Sequence, residues 1–193
     1  MKKNTAIHKL ISSRESTVLF SAKTIDKETI RLLFEAARRA PSSMNMQPWH
    51  FVYALNGDKD FDNLLSCLAP KNQEWAKNAS LLICTIAQTA SGYKERRNPY
   101  AWHDTAMAYA NFVIQATSLG LSAHPMGGFI REKAIHLLEI PERFEPVIFA
   151  AIGYKSSDKN FPGELIKRES RIRIRKELHE FVFYGKFLQD SGF

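Results

Sequence analysis

Uncharged polar side chains are concentrated in one short stretch, residues 40–49, between an amphipathic segment and an apolar one. The residue before Pro41 is pushed out of the α region, and Pro48 has no N–H to donate to a β-ladder, so the stretch is predicted to be an ordered loop. Its two serines and two carboxamides donate and accept hydrogen bonds without charge, which suits a neutral heterocycle or the oxygens of a nucleotide-like ligand. A self-capping turn, in which these side chains bond only local backbone, explains the same composition.

Two other segments combine residue types that suit an anionic or flat ligand. In Arg14-Glu15-Ser16, a guanidinium and a nearby hydroxyl can hold a phosphate by one charge-assisted and one neutral hydrogen bond. In Gly127-Gly128 the backbone is bare, so its N–H groups can approach a flat ligand or an anionic atom closely. A solvated surface explains the first segment equally well, and a plain strand-to-helix turn explains the second.

Arginine and isoleucine alternate in residues 171–175. A period of two predicts a β-strand with three guanidinium groups on one face. Such a strand is compatible with a nucleic-acid-binding patch and with a charged edge strand. The formal net charge of +7 favours anionic partners in general and does not choose between the two.

The run Ala40-Pro41-Ser42-Ser43-x-Asn45-x-Gln47-Pro48-Trp49 resembles the flavin-binding loop of the FMN-dependent nitroreductase family. The resemblance implies an α+β fold in three layers, α/β/α, with a central, mainly antiparallel sheet flanked by helices and a C-terminal arm extending to the partner subunit. It also implies a homodimer with FMN at each of two subunit-interface sites. NADH or NADPH would donate a hydride, and a nitroaromatic, quinone-like or related small acceptor would be reduced in a ping-pong cycle.

The same resemblance implies which residues contact the flavin. The loop at Pro41 would lie against the phosphate and ribityl groups, with Asn45 reaching the flavin of the other subunit. Arg14-x-Ser16 would bind the phosphate and the pyrimidine edge, while Val18 departs from the basic residue that many relatives carry there. The implied cofactor-binding residues are Arg14, Glu15, Ser16, Pro41, Ser42, Ser43, Asn45, Gln47, Asn72, Pro125, Met126, Gly127, Gly128, Arg173 and Arg175.

Three of these assignments carry specific roles. Asn72 would reach the pyrimidine ring, although a turn-forming loop asparagine is the alternative interpretation. The backbone of residues 125–128 would pack on the flavin and donate a hydrogen bond to its reactive ring nitrogen. Arg175 is expected to be the main phosphate ligand and Arg173 the second. No catalytic side chain and no metal are expected, because the flavin carries the chemistry.

Two alternative functions remain open from the sequence. A flavoprotein of this fold can instead be a reductive dehalogenase or an enzyme that degrades flavin. A basic nucleic-acid-binding protein is the non-enzyme alternative. The resemblance favours the oxidoreductase, with no nucleic acid and no membrane as partner.

The spacing of apolar residues predicts the elements that must position these segments. They are a helix over about residues 6–12, a helix capped by Thr24 or Asp26 and ending at Pro41, a strand over 50–55, a helix over about 59–68, a buried strand over 79–87, a helix over about 100–119, a helix over 131–138 and a buried strand over 147–154.

The helix over about residues 100–119 is apolar on most sides, since Ala106, Ala110 and Val113 follow helical spacing. It is therefore predicted to be a central buried helix, ended by Gly120 as its C′ residue. His103 and Asp104 are adjacent at its start, so their side chains are expected to point apart, with Asp104 compensating the helix dipole. Residues 88–98, just before this helix, are predicted to be an exposed loop and a candidate lid.

Length and composition limit the possible domain organisation and location of the protein. The 193 residues, 45% of them hydrophobic, predict a single domain over residues 1–193, of which about 168–193 form the C-terminal arm. Without a long apolar run or a signal core, a cytoplasmic protein is expected. Cys67 and Cys84 are expected to be buried thiols. The aromatic tail that contains Phe181 and Phe187 is expected to dock on a partner subunit.

Overall fold

The computed structural model describes residues 7–91, 96–158 and 160–192. Within them, the helices are α1 (Lys9–Ser12), α2 (Lys27–Arg38), α3 (Lys59–Cys67), α4 (Pro70–Ala76), α5 (Ala101–Ser118), α6 (Arg131–Leu137) and α7 (Gly163–Glu169), and the strands are β1 (Trp49–Leu55), β2 (Leu81–Gln88), β3 (Ala90–Ser91), β4 (Arg96–Arg97), β5 (Leu121–Met126) and β6 (Phe144–Tyr154). The start of the first predicted helix, Ala6, lies outside the described residues.

Four strands form one antiparallel sheet in the order β1-β2-β6-β5. Strand β2 is buried along nearly its whole length, and its side chains alternate between two apolar clusters. Leu81 and Ile83 pack with α2 and α5, while Leu82 and Cys84 pack with α3 and α4 on the other face. This alternation produces the three-layer α+β architecture that the sequence predicts.

The predicted functional loops leave the sheet at one end. Trp49 begins β1 and pairs with Ala87 near the end of β2, and Ala87 pairs in turn with Glu145 near the start of β6. Strand β5 runs antiparallel to β6 and ends at Met126, so its exit lies toward the same end of the sheet. The fold therefore brings residues 41–48 and residues 127–129 to one edge of the molecule.

Several local predictions are confirmed. Asp26 caps α2, because its Oδ1 accepts a hydrogen bond of 2.8 Å from the N–H of Thr29. Gly120 follows α5 with a φ of +72°, the left-handed conformation that a C′ glycine adopts at no steric cost. Cys67 and Cys84 are buried free thiols.

Other local predictions are wrong. Residues 171–175 do not form a β-strand. The polar passage around Asn72 is the helix α4, which begins at Pro70, a residue whose missing N–H costs nothing in a first helical turn. Strand β5 was not predicted because Pro125 interrupts its pattern, and β5 tolerates the proline because it lies at the edge of the sheet.

Helix α5 is confirmed as a helix with a buried face, but it is not buried on most sides. Val113 is buried as expected and Ala106 and Ala110 are exposed, and the buried stripe consists of Ala101, Asp104, Thr105, Ala108, Phe112, Val113 and Ala116. Alanine is small enough for either environment, so its presence did not distinguish a core face from an exposed one. An exposed apolar face on α5 remains, flanked by Trp102, which is 43% exposed.

The segment over residues 88–98 is more ordered than a loop. Strands β3 and β4 pair as a short hairpin, and the N–H of Asn98 donates to the carbonyl of Thr89 at 2.7 Å. Residues 92–95 lie outside the described residues, and the hypothesis that residues 88–98 form a lid stays a prediction.

The chain beyond α7 forms an extended arm. Apart from a short 3-10 turn at Leu178–Glu180, the described residues 170–192 have no helix or strand. Large apolar side chains such as Ile172, Ile174 and Phe187 are more than 80% exposed. Within the described residues, no helix has both the length and the apolar character needed to cross a membrane.

Candidate active site

The loop between α2 and β1 has an unusual backbone. Met44, Asn45 and Gln47 all adopt positive φ, at 51°, 54° and 49°, although none of them is glycine. Each such residue costs on the order of 1–3 kcal/mol and persists only where surrounding contacts hold it. The loop is therefore a strained and specifically supported structure.

Side chains within the loop supply part of that support. The hydroxyl of Ser42 accepts a hydrogen bond of 3.0 Å from the N–H of Gln47, and the Gln47 carboxamide donates to the carbonyl of Asn45 at 3.2 Å. Asn45 and Gln47 are exposed. The loop thus makes the hydrogen bonds to its own backbone that a self-capping turn would make, and it also presents a carboxamide outward.

Asp104 on α5 supplies the remaining support, and sequence reasoning assigned it only to the helix dipole. Its buried carboxylate accepts a hydrogen bond of 2.9 Å from the N–H of Ser43, and its other oxygen lies 2.9 Å from Nδ1 of His103. The expectation that these neighbours point apart is wrong, because the His103 ring and the Asp104 carboxylate are in contact. No local pattern in the sequence identifies the contact between Asp104 and Ser43, which are 61 residues apart.

A second group of predicted residues surrounds Ser16. Arg14 donates from Nη1 to the Ser16 hydroxyl at 3.0 Å, and Arg173 donates from Nη2 to the Ser16 carbonyl at 2.5 Å. The C-terminal arm thus brings a second guanidinium to the Arg14 segment. Arg175 instead donates to the carbonyls of Arg173 and Ile174 in its own segment.

A partly buried carboxylate anchors the backbone next to this group. Glu169 accepts a hydrogen bond of 2.9 Å from the N–H of Val18 and binds Lys155 at 2.9 Å, and Lys155 also binds Glu15 at 2.8 Å. Burial alone would raise the pKa of Glu169, but the Val18 N–H and Lys155 lower it below its usual value. Glu15, a predicted cofactor residue, is engaged in this ion pair.

His124 connects the Ser16 group to the end of β5. Its Nδ1 donates to the carbonyl of Thr17 at 2.8 Å, and its ring centre lies 4.4 Å from that of the buried Trp75. Burial lowers the pKa of His124, so the neutral imidazole is favoured. Pro125 follows directly and is exposed, whereas Met126 is buried in the core.

Asn72 and Gly128 are in direct contact. Nδ2 of Asn72 donates to the carbonyl of Gly128 at 3.0 Å, and the N–H of Ala69 donates to the same oxygen at 3.0 Å. A Cβ on Gly128 would lie 3.0 Å from Nδ2 of Asn72, whereas a Cβ on Gly127 would have no heavy atom within 4 Å. A side chain at position 128 would therefore crowd the Asn72 amide, whereas position 127 has room for one.

This difference gives a matched pair of substitutions. Gly128→Ala is expected to displace the Asn72 amide and cost about 0.5–1.5 kcal/mol of stability, the value of one hydrogen bond. Gly127→Ala is expected to be neutral, because its backbone is not in the left-handed region and its Cβ has room. Thermal unfolding of both variants measures the difference. Equal destabilisation would contradict the packing role of Gly128.

Two buried hydroxyls on α5, Thr105 Oγ1 and Tyr109 Oη, have no hydrogen-bond partner in the part of the chain that the structure describes. They are four residues apart, so they lie on one face of the helix. Burial raises the pKa of Tyr109, and the positive charge of Arg14 opposes the shift. Helix α5 therefore runs from the Ser43 contact at Asp104 toward Arg14.

The predicted residues form two groups rather than one. Arg14, Ser16 and Arg173 connect through Thr17 and His124 to the segment that carries Asn72 and Gly128. Among the hydrogen bonds of the described residues, none joins this group to the loop at residues 41–47. A cavity of about 650 Å³ between Phe20, Asn56 and Lys77 contains none of the predicted residues.

Comparison with known proteins identifies the family. The model described as Nitroreductase family matches residues 11–80 and 58–154, which together take in more than half of the chain. The chain belongs to the nitroreductase family. It is accordingly an oxidoreductase, and the resemblance based on the Pro41 loop is confirmed.

Individual relatives extend this finding. A protein of Archaeoglobus fulgidus named NADH dehydrogenase/NAD(P)H nitroreductase is 31% identical over 175 residues, covering 88% of this chain and 96% of its own. The crystal structure of an oxidoreductase containing FMN is 31% identical in sequence and superposes with a TM-score of 0.91, covering 98% of this chain and 96% of its own. A nitroreductase family protein from Clostridium difficile, 22% identical, shares the fold with a TM-score of 0.70 over 92% of this chain and 96% of its own.

Proposed function

We propose that this nitroreductase family protein is an FMN-dependent NAD(P)H oxidoreductase, active as a homodimer, that reduces nitroaromatic, quinone-like or related small acceptors. The observation that carries the proposal is the group formed by Arg14, Ser16 and Arg173, which continues through His124 to Gly127-Gly128. The 31% identical crystal structure is that of an oxidoreductase containing FMN, which supports the choice of cofactor.

The donor set of the Ser16 group fits a phosphate. Two guanidinium groups, from Arg14 and Arg173, meet at one serine, and charge-assisted hydrogen bonds from guanidinium to phosphate are short and strong. Lys155 is paired with Glu15 and Glu169, whereas Arg14 and Arg173 both contact Ser16 through their guanidinium groups. Arg14 and Arg173 would hold the phosphate end of FMN.

The glycine segment fits a flat ring. The open space at the Cβ position of Gly127 allows a ligand to approach the backbone closely. Asn72 fixes this segment by bonding to the carbonyl of Gly128, and the Met126 side chain anchors it in the core. The backbone N–H groups of residues 127–128 would orient the ring, as the resemblance implies.

The loop at residues 41–47 would complete the site of a partner subunit. Its outward-facing Asn45 and Gln47 have no hydrogen bond to the Ser16 group within the described residues, so a second chain is needed to use them there. The exposed alanine face of α5 and the apolar arm around Phe187 provide surface that a homodimer would bury.

The reaction requires the protein to position the cofactor and the substrates, and it does not require an ionisable catalytic side chain. When bound, FMN would supply the two-electron redox chemistry of the reaction. NAD(P)H gives up a hydride, and the acceptor takes up two electrons and two protons, so that a nitro group becomes a nitroso group and water. The chain's own residues bind the phosphate, orient the ring and exclude water.

Purification in the presence of FMN tests the proposal. The protein is expected to elute as a dimer with about one FMN per chain and to oxidise NADH or NADPH when a quinone or nitroaromatic is added. Light scattering combined with visible absorbance measures mass and flavin content in one experiment. A colourless protein that fails to take up added FMN would overturn the proposed function, and a flavin-loaded monomer would overturn the dimer.

A further inference from the structure

The backbone of residues 16–18 is bonded to side chains from distant parts of the chain. The carbonyl of Thr17 accepts from Nδ1 of His124 at 2.8 Å, and the N–H of Val18 donates to Oε2 of Glu169 at 2.9 Å. These two backbone groups belong to one peptide unit, and in a trans peptide they point in opposite directions. His124 and Glu169 therefore hold this peptide from its two sides.

Glu169 is also the residue from which the C-terminal arm departs. It is the last residue of α7, and after the three residues 170–172 comes Arg173, which donates from Nη2 to the carbonyl of Ser16 at 2.5 Å. The arm thus contacts residues 16–18 at two closely spaced points. Four residues of extended chain span at most about 14 Å, so the position of Glu169 limits where the backbone of Arg173 can lie.

Both carboxylate oxygens of Glu169 have partners. Its side chain is only 12% exposed, and its Oε1 lies 2.9 Å from Nζ of Lys155, which also lies 2.8 Å from Glu15. A carboxylate with so little exposure is costly unless it is paired and hydrogen-bonded, and removing its partners is more costly still. Lys155 follows directly on β6, so these contacts tie the start of the arm to the central sheet.

Charge alone gives no reason for a carboxylate at this place. Arg14 and Arg173 would hold the phosphate of FMN, and a negative charge nearby repels a phosphate. The backbone contact does give a reason, because Val18 is 2% exposed and its N–H needs an acceptor that also fixes the adjoining segment.

We propose that Glu169 is a positioning residue for recognition of the FMN phosphate. By bonding to the N–H of Val18, its carboxylate holds the start of the arm against residues 16–18. The Arg173 guanidinium is thereby brought to Ser16, beside Arg14. Glu169 itself does not contact the phosphate. This inference rests on the proposed function, because the phosphate is that of FMN.

Glu169→Ala tests the positioning role with a pair of flavins. The substitution is expected to raise the Kd for FMN about 5- to 20-fold, a part of the roughly 10- to 150-fold cost of losing a hydrogen bond to a charged group. Riboflavin lacks the phosphate, so its Kd should rise less than about twofold. Fluorescence titration of both flavins into the apoproteins measures the two constants, and retained riboflavin binding shows that the variant is folded.

Two further variants separate position from charge. Loss of a negative charge favours phosphate binding, so charge predicts tighter FMN binding by Glu169→Ala, whereas positioning predicts weaker binding. Glu164→Ala removes an exposed carboxylate from the first turn of the same helix and should change either Kd less than about twofold. Glu169→Gln keeps an oxygen that can accept from Val18, so it should retain more of the FMN affinity than Glu169→Ala.

A double variant tests the route through Arg173. If Glu169 acts by placing that guanidinium, Glu169→Ala should raise the Kd for FMN less than about twofold further in a protein that already carries Arg173→Ala. The same 5- to 20-fold loss in both backgrounds, of the order expected for one lost contact, would contradict the inference.

The outcomes separate this inference from the proposed function. In a wild-type protein that binds FMN, the inference alone is overturned if Glu169→Ala weakens FMN and riboflavin equally or leaves FMN binding unweakened. Equal losses in Glu169→Ala and Glu164→Ala, or in Glu169→Ala and Glu169→Gln, would also overturn it. A wild-type protein that binds neither flavin would overturn the proposed function and, with it, the phosphate that Glu169 is proposed to serve.

Discussion

Replacing Arg14 by alanine is expected to raise the Kd for FMN by about 10- to 150-fold, because a hydrogen bond to a charged group contributes about 1.5–3 kcal/mol. Riboflavin lacks the phosphate, so its binding should change little. Titration of both flavins into the apoprotein variant measures the two constants. Equal weakening of the two ligands would contradict the phosphate role of Arg14.

The two arginines of the C-terminal arm provide a matched comparison. Arg173 reaches the Ser16 carbonyl, whereas Arg175 bonds only within its own segment, so Arg173→Ala should weaken FMN binding more than Arg175→Ala. This order reverses the one that the family pattern suggests. A larger loss for Arg175→Ala would show that the arm rearranges when the ligand binds.

Residues 171–175 show a limit of predicting secondary structure from local residue patterns. Alternating arginine and isoleucine predicts a strand, yet a strand also requires a neighbour to bond with, and the alternation does not specify one. In the structure Ile172 and Ile174 remain about 89% and 86% exposed, and Arg173 instead bonds to Ser16, 157 residues earlier in the chain. The spacing of neighbouring residue types cannot indicate a contact at that sequence distance.

Elements with strong local signals were predicted well. Helix α2 combines a capping Asp26, an apolar face that includes Leu33 and an end before Pro41, and each feature acts through neighbouring residues. The Pro41 loop could be identified by its resemblance to the flavin-binding loop of the nitroreductase family, although its residue types alone fit a self-capping turn equally well. Its strained backbone and its support from α5 could not, because both depend on a contact with Asp104, 61 residues later.

The largest effect expected outside the phosphate group concerns Asp104. Asp104→Ala would leave the N–H of Ser43 unpaired at a cost of about 1–3 kcal/mol and would release a loop with three left-handed residues. If this contact holds the loop in its binding conformation before FMN arrives, losing its free energy should raise the Kd for FMN about 5- to 150-fold. Fluorescence titration of FMN into the variant measures the change.

Two control variants isolate the Ser43 contact. Asp104→Asn retains an oxygen that can accept from Ser43 and should keep most of the affinity. His103→Ala removes only the exposed partner of the carboxylate and should change the affinity less than about twofold. Ser43→Ala measures the serine hydroxyl separately from the backbone N–H.

The hydrogen bond between Ser43 and Asp104 can also be tested by removing the backbone N–H of Ser43. Ser42 has an extended backbone, with φ −147° and ψ 152°, as required before proline, and Ser43 begins the 3-10 turn, so Ser43→Pro deletes the donor with little backbone change. If Asp104 acts through this one bond, Asp104→Ala and Ser43→Pro should each impair FMN binding, and the double variant should be scarcely worse than either. Additive losses would mean that Asp104 supports the site by another route, because two groups that share a single hydrogen bond cannot lose it twice.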